Sequence, residues 1–273
     1  FRNTTRPGMP GTPTPTAPPP GEILYLSSTT GGTAGGVSFK DEDIVSYDTG
    51  TGTWNLFLDG SDLGLGGTDL SGFSLRPDGS ILMSFSTGAT LDGLGTVDDS
   101  DVVRFYPASL GSSTSGTFQW YFDGSDVGLS RNGEDLDAVS FAPDGQLLFS
   151  TTGSVSVPGV SAADEDILAF TPTSLGTGTS GTWELYFDGS DVGLSDSPSE
   201  DLAGAWIEPG SGHIYLTAGG TFAVPGVSGD GADIFICEPT SLGANTACSF
   251  SMYWDGSTHG FAGEVVDGFV IVR

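Results

Sequence analysis

The chain has 273 residues, 44 of them glycine, and carries 35 acidic residues against 7 basic ones for a formal charge of -28. That charge excludes a nucleic-acid binder, because a phosphate backbone needs a basic surface, and no apolar run approaches the roughly 18 residues of a membrane-spanning helix. Turn residues alternate with short β-branched and aromatic stretches, and no window carries a 3.6-residue apolar period, so the chain reads as all-β.

Residues 1–20, FRNTTRPGMPGTPTPTAPPP, differ in composition from everything that follows. Proline at this density removes ladder donors and favours extended polyproline II, so the segment reads as an arm. Asn3 opens an N-glycosylation acceptor, and Thr12, Thr14 and Thr16 lie in a Thr-Pro run of the kind that carries O-glycans. Phe1, Arg2 and Arg6 are the expected partner-binding residues, since two of the seven basic residues fall within the first six positions. A chain that opens at Phe1 without a signal peptide reads as a mature, processed one.

Residues 21–273 are a repeat. FLDGSDLGL (57–65), YFDGSDVGL (121–129 and 186–194) and YWDGSTHGF (253–261) place the turn aspartates Asp59, Asp123, Asp188 and Asp255 at intervals of 64, 65 and 67 residues. One period holds four strand-like segments, at 134–143, 146–151, 164–172 and 182–187, with an Asp-Gly turn between the first two. Leu136, Val139 and Phe141, and then Trp183, Leu185 and Phe187, show the side alternation of half-buried strands. Four antiparallel strands per repeat describe a β-propeller blade. Segment 21–48 matches the second and third strands of the unit, and 263–272 matches only the first, so the two ends complete one shared blade. The expected fold is a four-bladed propeller closed by the C-terminal strand; an open solenoid of the same units is the alternative. Trp54, Trp120, Trp183 and Trp254 are expected to pack within and between blades.

Cys237 and Cys248, 11 residues apart across a predicted hairpin, fit either a local disulfide, which implies an oxidising compartment, or two buried thiols. The tandem FDGSDVGL, PDG and DEDIL motifs over residues 22–273 resemble those of uncharacterised secreted bacterial proteins. That resemblance implies secretion and repetition and supplies no catalytic residue.

If inner strands run from an upper to a lower end, the acidic motifs gather at the upper one. They are Asp59, Asp62, Asp123, Asp126, Asp188 and Asp191 of the DGSD turns, and Asp41, Asp43, Asp99, Asp101, Asp164 and Asp166 of the Asp-x-Asp loops. These twelve are the candidate metal ligands, with Ca2+ the expected ion, because hard cations take six to eight oxygen donors. Turn chemistry competes for the same residues, since Asp and Ser bond their own backbone and Gly supplies positive φ. Asp69, Glu134, Asp135, Glu200, Asp201 and Glu264, at the starts of inner strands, are expected to rim the central channel.

The two histidines, His213 and His259, lie on different repeats and read as exposed. No nucleophile elbow, phosphate loop or zinc spacing occurs, so no catalytic residue is assigned and the protein is expected not to be an enzyme. It is expected to be an extracellular or cell-surface structural subunit that polymerises with itself, the basic arm of one copy meeting the acidic end of the next. The alternative is a calcium-assisted adhesin that binds glycans or matrix.

Overall fold

A computed structural model describes residues 21–195 and 197–273; Phe1, Arg2, Asn3, Arg6, Thr12, Thr14 and Thr16 of the arm lie outside the described residues. The repeat becomes four antiparallel four-stranded blades. From the axis outward, blade I comprises Phe269–Val272, Ile23–Leu26, Ile44–Asp48 and Thr53–Leu58. Blade II comprises Gly72–Leu75, Ile81–Ser84, Val102–Ser109 and Ser115–Phe122. Blade III comprises Leu136–Phe141, Leu147–Thr151, Ile167–Ser174 and Ser180–Phe187. Blade IV comprises Leu202–Ile207, Ile214–Ala218, Ile234–Ser241 and Ala247–Trp254.

Each inner strand packs against the inner strands of both neighbours, which makes a closed ring. Closure falls within blade I, where Ile23 pairs with Val272 and Leu26 with Phe269, as the matching chain ends predict. The ring is tight because one inner-strand position is held by Gly72, Ala138, Gly204 and Gly268. A β-carbon on Gly204 would stand 2.9 Å from the Asp267 carbonyl oxygen, and one on Gly268 would stand 2.9 Å from the Phe73 ring. Small residues here let four strands share one axis.

Buried aromatics fill the space between sheets. Phe122 lies 4.8 Å from Phe149 and 5.3 Å from Phe170, and Trp183 closes the group 4.7 Å from Phe170. Trp54, Trp183 and Trp254 are buried and Trp120 is half-buried, in keeping with packing roles. At the junction of blades IV and I, Trp54 stacks on Phe261, with centroids 5.3 Å apart, and its indole N–H donates to the His259 carbonyl at 3.0 Å. Below them Arg273 binds Glu22, Glu208 and the Tyr215 hydroxyl, while the Tyr253 hydroxyl also donates to Glu22. Burial first, and then the Glu22 charge, push Tyr215 up to about 12.

One feature departs from the expected blade, and one of the two readings of the cysteines is decided. The loop between second and third strands carries a short hairpin in every blade: Gly32–Ala34 with Val37–Phe39, Ala89–Leu91 with Gly95–Val97, Val155–Val157 with Val160–Ala162, and Phe222–Val224 with Val227–Gly229. In two of them the turn is Pro-Gly, with Gly159 and Gly226 at positive φ. Cys237 and Cys248 form a disulfide between the third and outer strands of blade IV, with their Cα atoms 5.3 Å apart.

Candidate functional site

The DGSD turn is a fastening between blades. Its first aspartate closes the turn on itself: Asp123 Oδ1 accepts the Ser125 hydroxyl at 2.7 Å, and Asp188 Oδ1 accepts that of Ser190 at 2.7 Å. The following glycine donates its N–H to the last carboxylate of the Asp-x-Asp loop. Gly60 binds Asp43, Gly124 binds Asp101 and Gly189 binds Asp166, at 2.9, 3.0 and 2.9 Å. This glycine does not supply positive φ, because Gly124 and Gly189 have φ of -67° and -70°. It is required because the Ser100 and Glu165 carbonyl oxygens would stand 2.2 Å from a β-carbon. Positive φ belongs to the later Gly64, Gly128, Gly193 and Gly260.

The fourth position reaches the next blade. Asp62, Asp126 and Asp191 each accept, through Oδ2, the backbone N–H of Thr114, Thr179 and Thr246, at 2.8, 2.9 and 2.9 Å. In return the three threonine hydroxyls accept the N–H groups of Asp59, Asp123 and Asp188 at 3.0, 2.9 and 2.9 Å. These threonines sit at the tips of the outer hairpins of blades II, III and IV. Blade I has a shorter hairpin tip, Thr49–Gly52, without the Ser-Leu-Gly and Thr of the others, and the turn facing it carries Thr258 instead of aspartate. Carboxylate and partner are lost together. We expect Thr179→Ala to cost about 1 kcal/mol in urea denaturation, as loss of a capping side chain does. Asp126→Ala should lose a similar amount, with the double variant less than additive. Thr258→Asp should gain nothing, and an equal gain there would contradict the pairing.

The expectation of twelve upper-end metal ligands is therefore revised. Asp62, Asp126 and Asp191 are spent on fastenings at the outside of the ring, and Asp59, Asp123 and Asp188 on their own turns. Asp43, Asp101 and Asp166 each accept two backbone N–H groups, the second from Lys40, Asp98 and Ala163. Burial still raises all three, Asp101 to about 6. Glu134, Glu200 and Glu264 likewise bind loops: Glu134 takes the N–H groups of Ser130 and Arg131, Glu200 that of Ala223, and Glu264 the Thr30 hydroxyl. Both histidines are half-buried, His259 with its ring against Trp254.

What remains is a set of carboxyls where one blade meets the next near the axis. At every such seam the first residue of the Asp-x-Asp loop accepts an N–H from the following blade's inner strand: Leu70 to Asp41, Leu136 to Asp99, Leu202 to Asp164 and Val266 to Gly231. Four equivalent positions of the repeat flank this bond. Between blades I and II they are Asp41, Glu42, Asp69 and Asp267; between III and IV they are Asp164, Glu165, Asp201 and Asp137. The II–III seam has Asp99, Ser100, Asp135 and Ser71, and the IV–I seam has Gly231, Ala232, Val265 and Ala203. Two opposite seams thus hold four carboxyls each, one holds two, and one holds none.

The four-carboxyl seams are crowded. Asp69 and Asp267 lie within hydrogen-bonding reach of each other, as do Asp41 and Glu42, and Asp164 and Glu165. Burial, then the charges of Asp164 and Glu165, raise Asp201 to about 7; burial and the bond to Asp164 raise Glu165 to about 7. Burial raises Asp69 to about 6 and holds Asp137 and Asp267 well above the carboxylate range. Ser27 and Ser150 donate to Asp267 and Asp137. Apart from these carboxyl pairs and the Lys40 ammonium 3.6 Å from Glu42, the buried oxygens of Glu42, Asp69, Asp201 and Asp267 have no hydrogen-bond donor. Among the described residues no group of three or more His, Cys, Asp or Glu side chains is placed to hold a metal ion. Asp137, inside an apolar strand, and Asp267, two residues before one, escape sequence reading, and only the four-way alignment of inner strands exposes them.

No protein family matches this chain, and no curated protein is similar to it. Two similar solved structures are YCF48 bound to D1 peptide (13% identity, TM-score 0.33, 80% of this chain and 49% of that one) and the PQQ-bound aldose sugar dehydrogenase of Streptomyces coelicolor (14% identity, TM-score 0.35, 88% and 87%). The chain spans about half the length of the YCF48 structure. The expectation that the protein is not an enzyme is corrected here, because one of these similar structures is a dehydrogenase. At this identity the likeness carries neither reaction nor cofactor to this chain.

Proposed function

We propose that the protein is a repeating subunit of an extracellular filament or surface assembly, joined head to tail by residues 1–20. The observation that carries this reading is a segregation of charge along the propeller axis. Gly21, where the arm meets the fold, adjoins the strand end at which Ile23 pairs with Asp48 and Val272. The seam carboxyls lie at the other end of the same sheet, where Leu26 pairs with Val45 and Phe269. Gly21 therefore stands at the end opposite the acidic one, and of the seven basic residues in the sequence only five belong to the propeller. A basic arm reaching the acid-lined end of a second copy makes a heterologous contact, which propagates as an open polymer unless its rotation closes. The Cys237–Cys248 disulfide fits the oxidising compartment this requires.

Negative-stain microscopy of the full chain should show filaments that grow with concentration. Removing residues 1–20, or reversing the arm's charge with Arg2→Glu and Arg6→Glu, should leave monomers with an unchanged melting temperature. Monomers of the full chain at every concentration, with and without CaCl2, would end this proposal, as would polymers that survive the deletion.

A further inference from the structure

Of the four DGS turns, one stands open. At three of them the short hairpin of the next blade leans over the glycine that ends the turn. A β-carbon on Gly128 would stand 3.0 Å from Pro158, one on Gly193 3.8 Å from the Ala223 carbonyl oxygen, and one on Gly260 3.9 Å from the Gly35 nitrogen. On the equivalent Gly64, where blade I meets blade II, a β-carbon would meet nothing within 4 Å. Two departures of blade II accompany this gap. Its hairpin turns at Asp92-Gly93, where blades III and IV have Pro158-Gly159 and Pro225-Gly226. Its outer strand carries Phe118 where blades I and III carry Trp54 and Trp183. Those tryptophans are buried, and their indole N–H groups donate to the carbonyls of His259 and Val127 at 3.0 and 3.1 Å. Phe118 has no such donor to offer the equivalent Leu63, which is half-buried where Val127 and Val192 are buried.

The gap is a groove of about 420 Å³, lined by the apolar Leu63 and Phe118, by the carboxylates of Asp62 and Asp92, and by the backbone of Ser115–Thr117. Ser115–Phe122 is the outermost strand of its blade, and only its far end is covered, where Phe122 is bridged by Gly176. A bare edge of this kind is a template for another extended segment. Edges are ordinarily blunted by lysine, proline or other charge. This one, SGTFQWYF, has none of these, in a chain with 35 acidic residues. Among the described residues neither Asp62 nor Asp92 forms an ion pair, so the groove presents two exposed carboxylates without a cation.

We propose that this groove is the seat for the arm of a second copy: residues 1–6 add a strand to the free edge, and Arg2 lays its stem on Leu63 and Phe118 with its guanidinium at Asp62 and Asp92. The proposal rests on the head-to-tail reading above and names the surface that reading uses. Residues 1–6 contain no proline, so each keeps the N–H that an added strand needs, whereas seven prolines follow in residues 7–20. Arg2 and Arg6, four residues apart, fall on one face of an extended strand. A guanidinium suits both the carboxylates and the face of the Phe118 ring. Residues 7–20, at about 3.1 Å each, extend about 43 Å, comparable to a propeller diameter of about 45 Å, so the six-residue segment reaches a neighbour. One arm and one open groove per copy let each subunit give and take a single contact, as a head-to-tail polymer requires.

The test is a fluorescence-anisotropy titration of a labelled peptide of residues 1–12 with the full chain carrying Arg2→Glu and Arg6→Glu, whose own arm does not compete. One peptide should bind per chain, with a dissociation constant below about 100 μM. Phe118→Trp places in blade II the side chain that blades I and III already use. It should weaken binding at least about tenfold and leave the melting temperature unchanged or raised. Asp92→Asn should weaken binding about fivefold, the upper range for one exposed ion pair. Asp144→Asn, on an exposed turn away from the groove, should leave binding as it is. In the otherwise unaltered chain, Phe118→Trp should give monomers by negative-stain microscopy. Absence of saturable peptide binding, or binding that Phe118→Trp and Asp92→Asn leave unchanged, overturns the groove. Filaments that persist in Phe118→Trp overturn it too, while the head-to-tail reading survives. Peptide binding that both variants weaken, in a chain that forms no filaments, upholds the groove and ends the polymer instead.

Discussion

In the absence of metal the melting temperature should fall by about 10 °C between pH 5 and pH 8. The cause is proton binding by the folded state. Asp201 and Glu165 are pushed up to about 7, Asp69, Asp99 and Asp101 to about 6, and Asp137 and Asp267 are held well above the usual carboxylate range, in each case chiefly by burial. In the unfolded chain the same groups titrate near 4. A carboxyl whose folded pKa is raised holds its proton in the fold after the unfolded chain has released it. Its stabilisation is complete below about pH 4 and drains away as pH rises towards the folded value, here through pH 6 to 7. One fully shielded group raised by three pH units would account for about 4 kcal/mol. Partial exposure and sharing of protons within each seam reduce the sum, and we expect a net loss of about 4 kcal/mol. At roughly 2–4 °C per kcal/mol for a domain of this size, that is the expected drop. Differential scanning fluorimetry across the range measures it. Asp201→Asn should flatten the slope and Asp126→Asn should leave it, whereas a melting temperature that is level or rises from pH 5 to 8 would show that the seams do not hold protons.

The same residues show what a sequence of this kind discloses. Blade number, strand order and closure were legible because each follows from a local signal repeated at a fixed spacing: alternation in Leu136, Val139 and Phe141, the Asp144-Gly145 turn, and an orphan first strand at 263–272. The extra hairpins were partly legible, since Val-Pro-Gly-Val at 157–160 and 224–227 is a turn flanked by apolar residues, yet its Gly/Ser-rich surroundings read as loop. The role of the fourth DGSD position was not legible, because its partner lies more than fifty residues away on the next blade. Asp126 and Thr179 are joined only once the outer hairpin folds against its neighbour. The seam carboxyls were hidden for a related reason. They come together from the end of one repeat and the middle of another, and a motif read along the chain separates Asp267 from Asp69 by 198 of the 273 residues. Repeats disclose what each unit does alone, whereas sites between units require the ring.

The second large effect concerns glycines that look interchangeable. Gly189→Ala should destabilise the protein by about 3 kcal/mol or more, while Gly193→Ala, four residues on, should cost about 1 kcal/mol. Conformational preference alone gives the reverse order. Gly193 has φ of 94°, which disfavours any side chain, and Gly189 has φ of -70°, open to all residues. Space decides instead. A β-carbon at 189 would stand 2.2 Å from the Glu165 carbonyl oxygen and 2.9 Å from its carbonyl carbon, both backbone atoms fixed by the neighbouring Asp166–Gly189 bond. Relief requires the turn to withdraw, which breaks that bond and pulls Asp191 from Thr246. At 193 the nearest atom is the Ala223 carbonyl oxygen at 3.8 Å, so only backbone strain is paid. The same contact recurs at Gly60, Gly124 and Gly256, at 2.2 or 2.3 Å, and alanine at any of them should act alike. Urea denaturation of the two single variants decides the matter: equal losses, or a larger loss at 193, would mean that the glycine of DGS serves the turn and not the contact between loops.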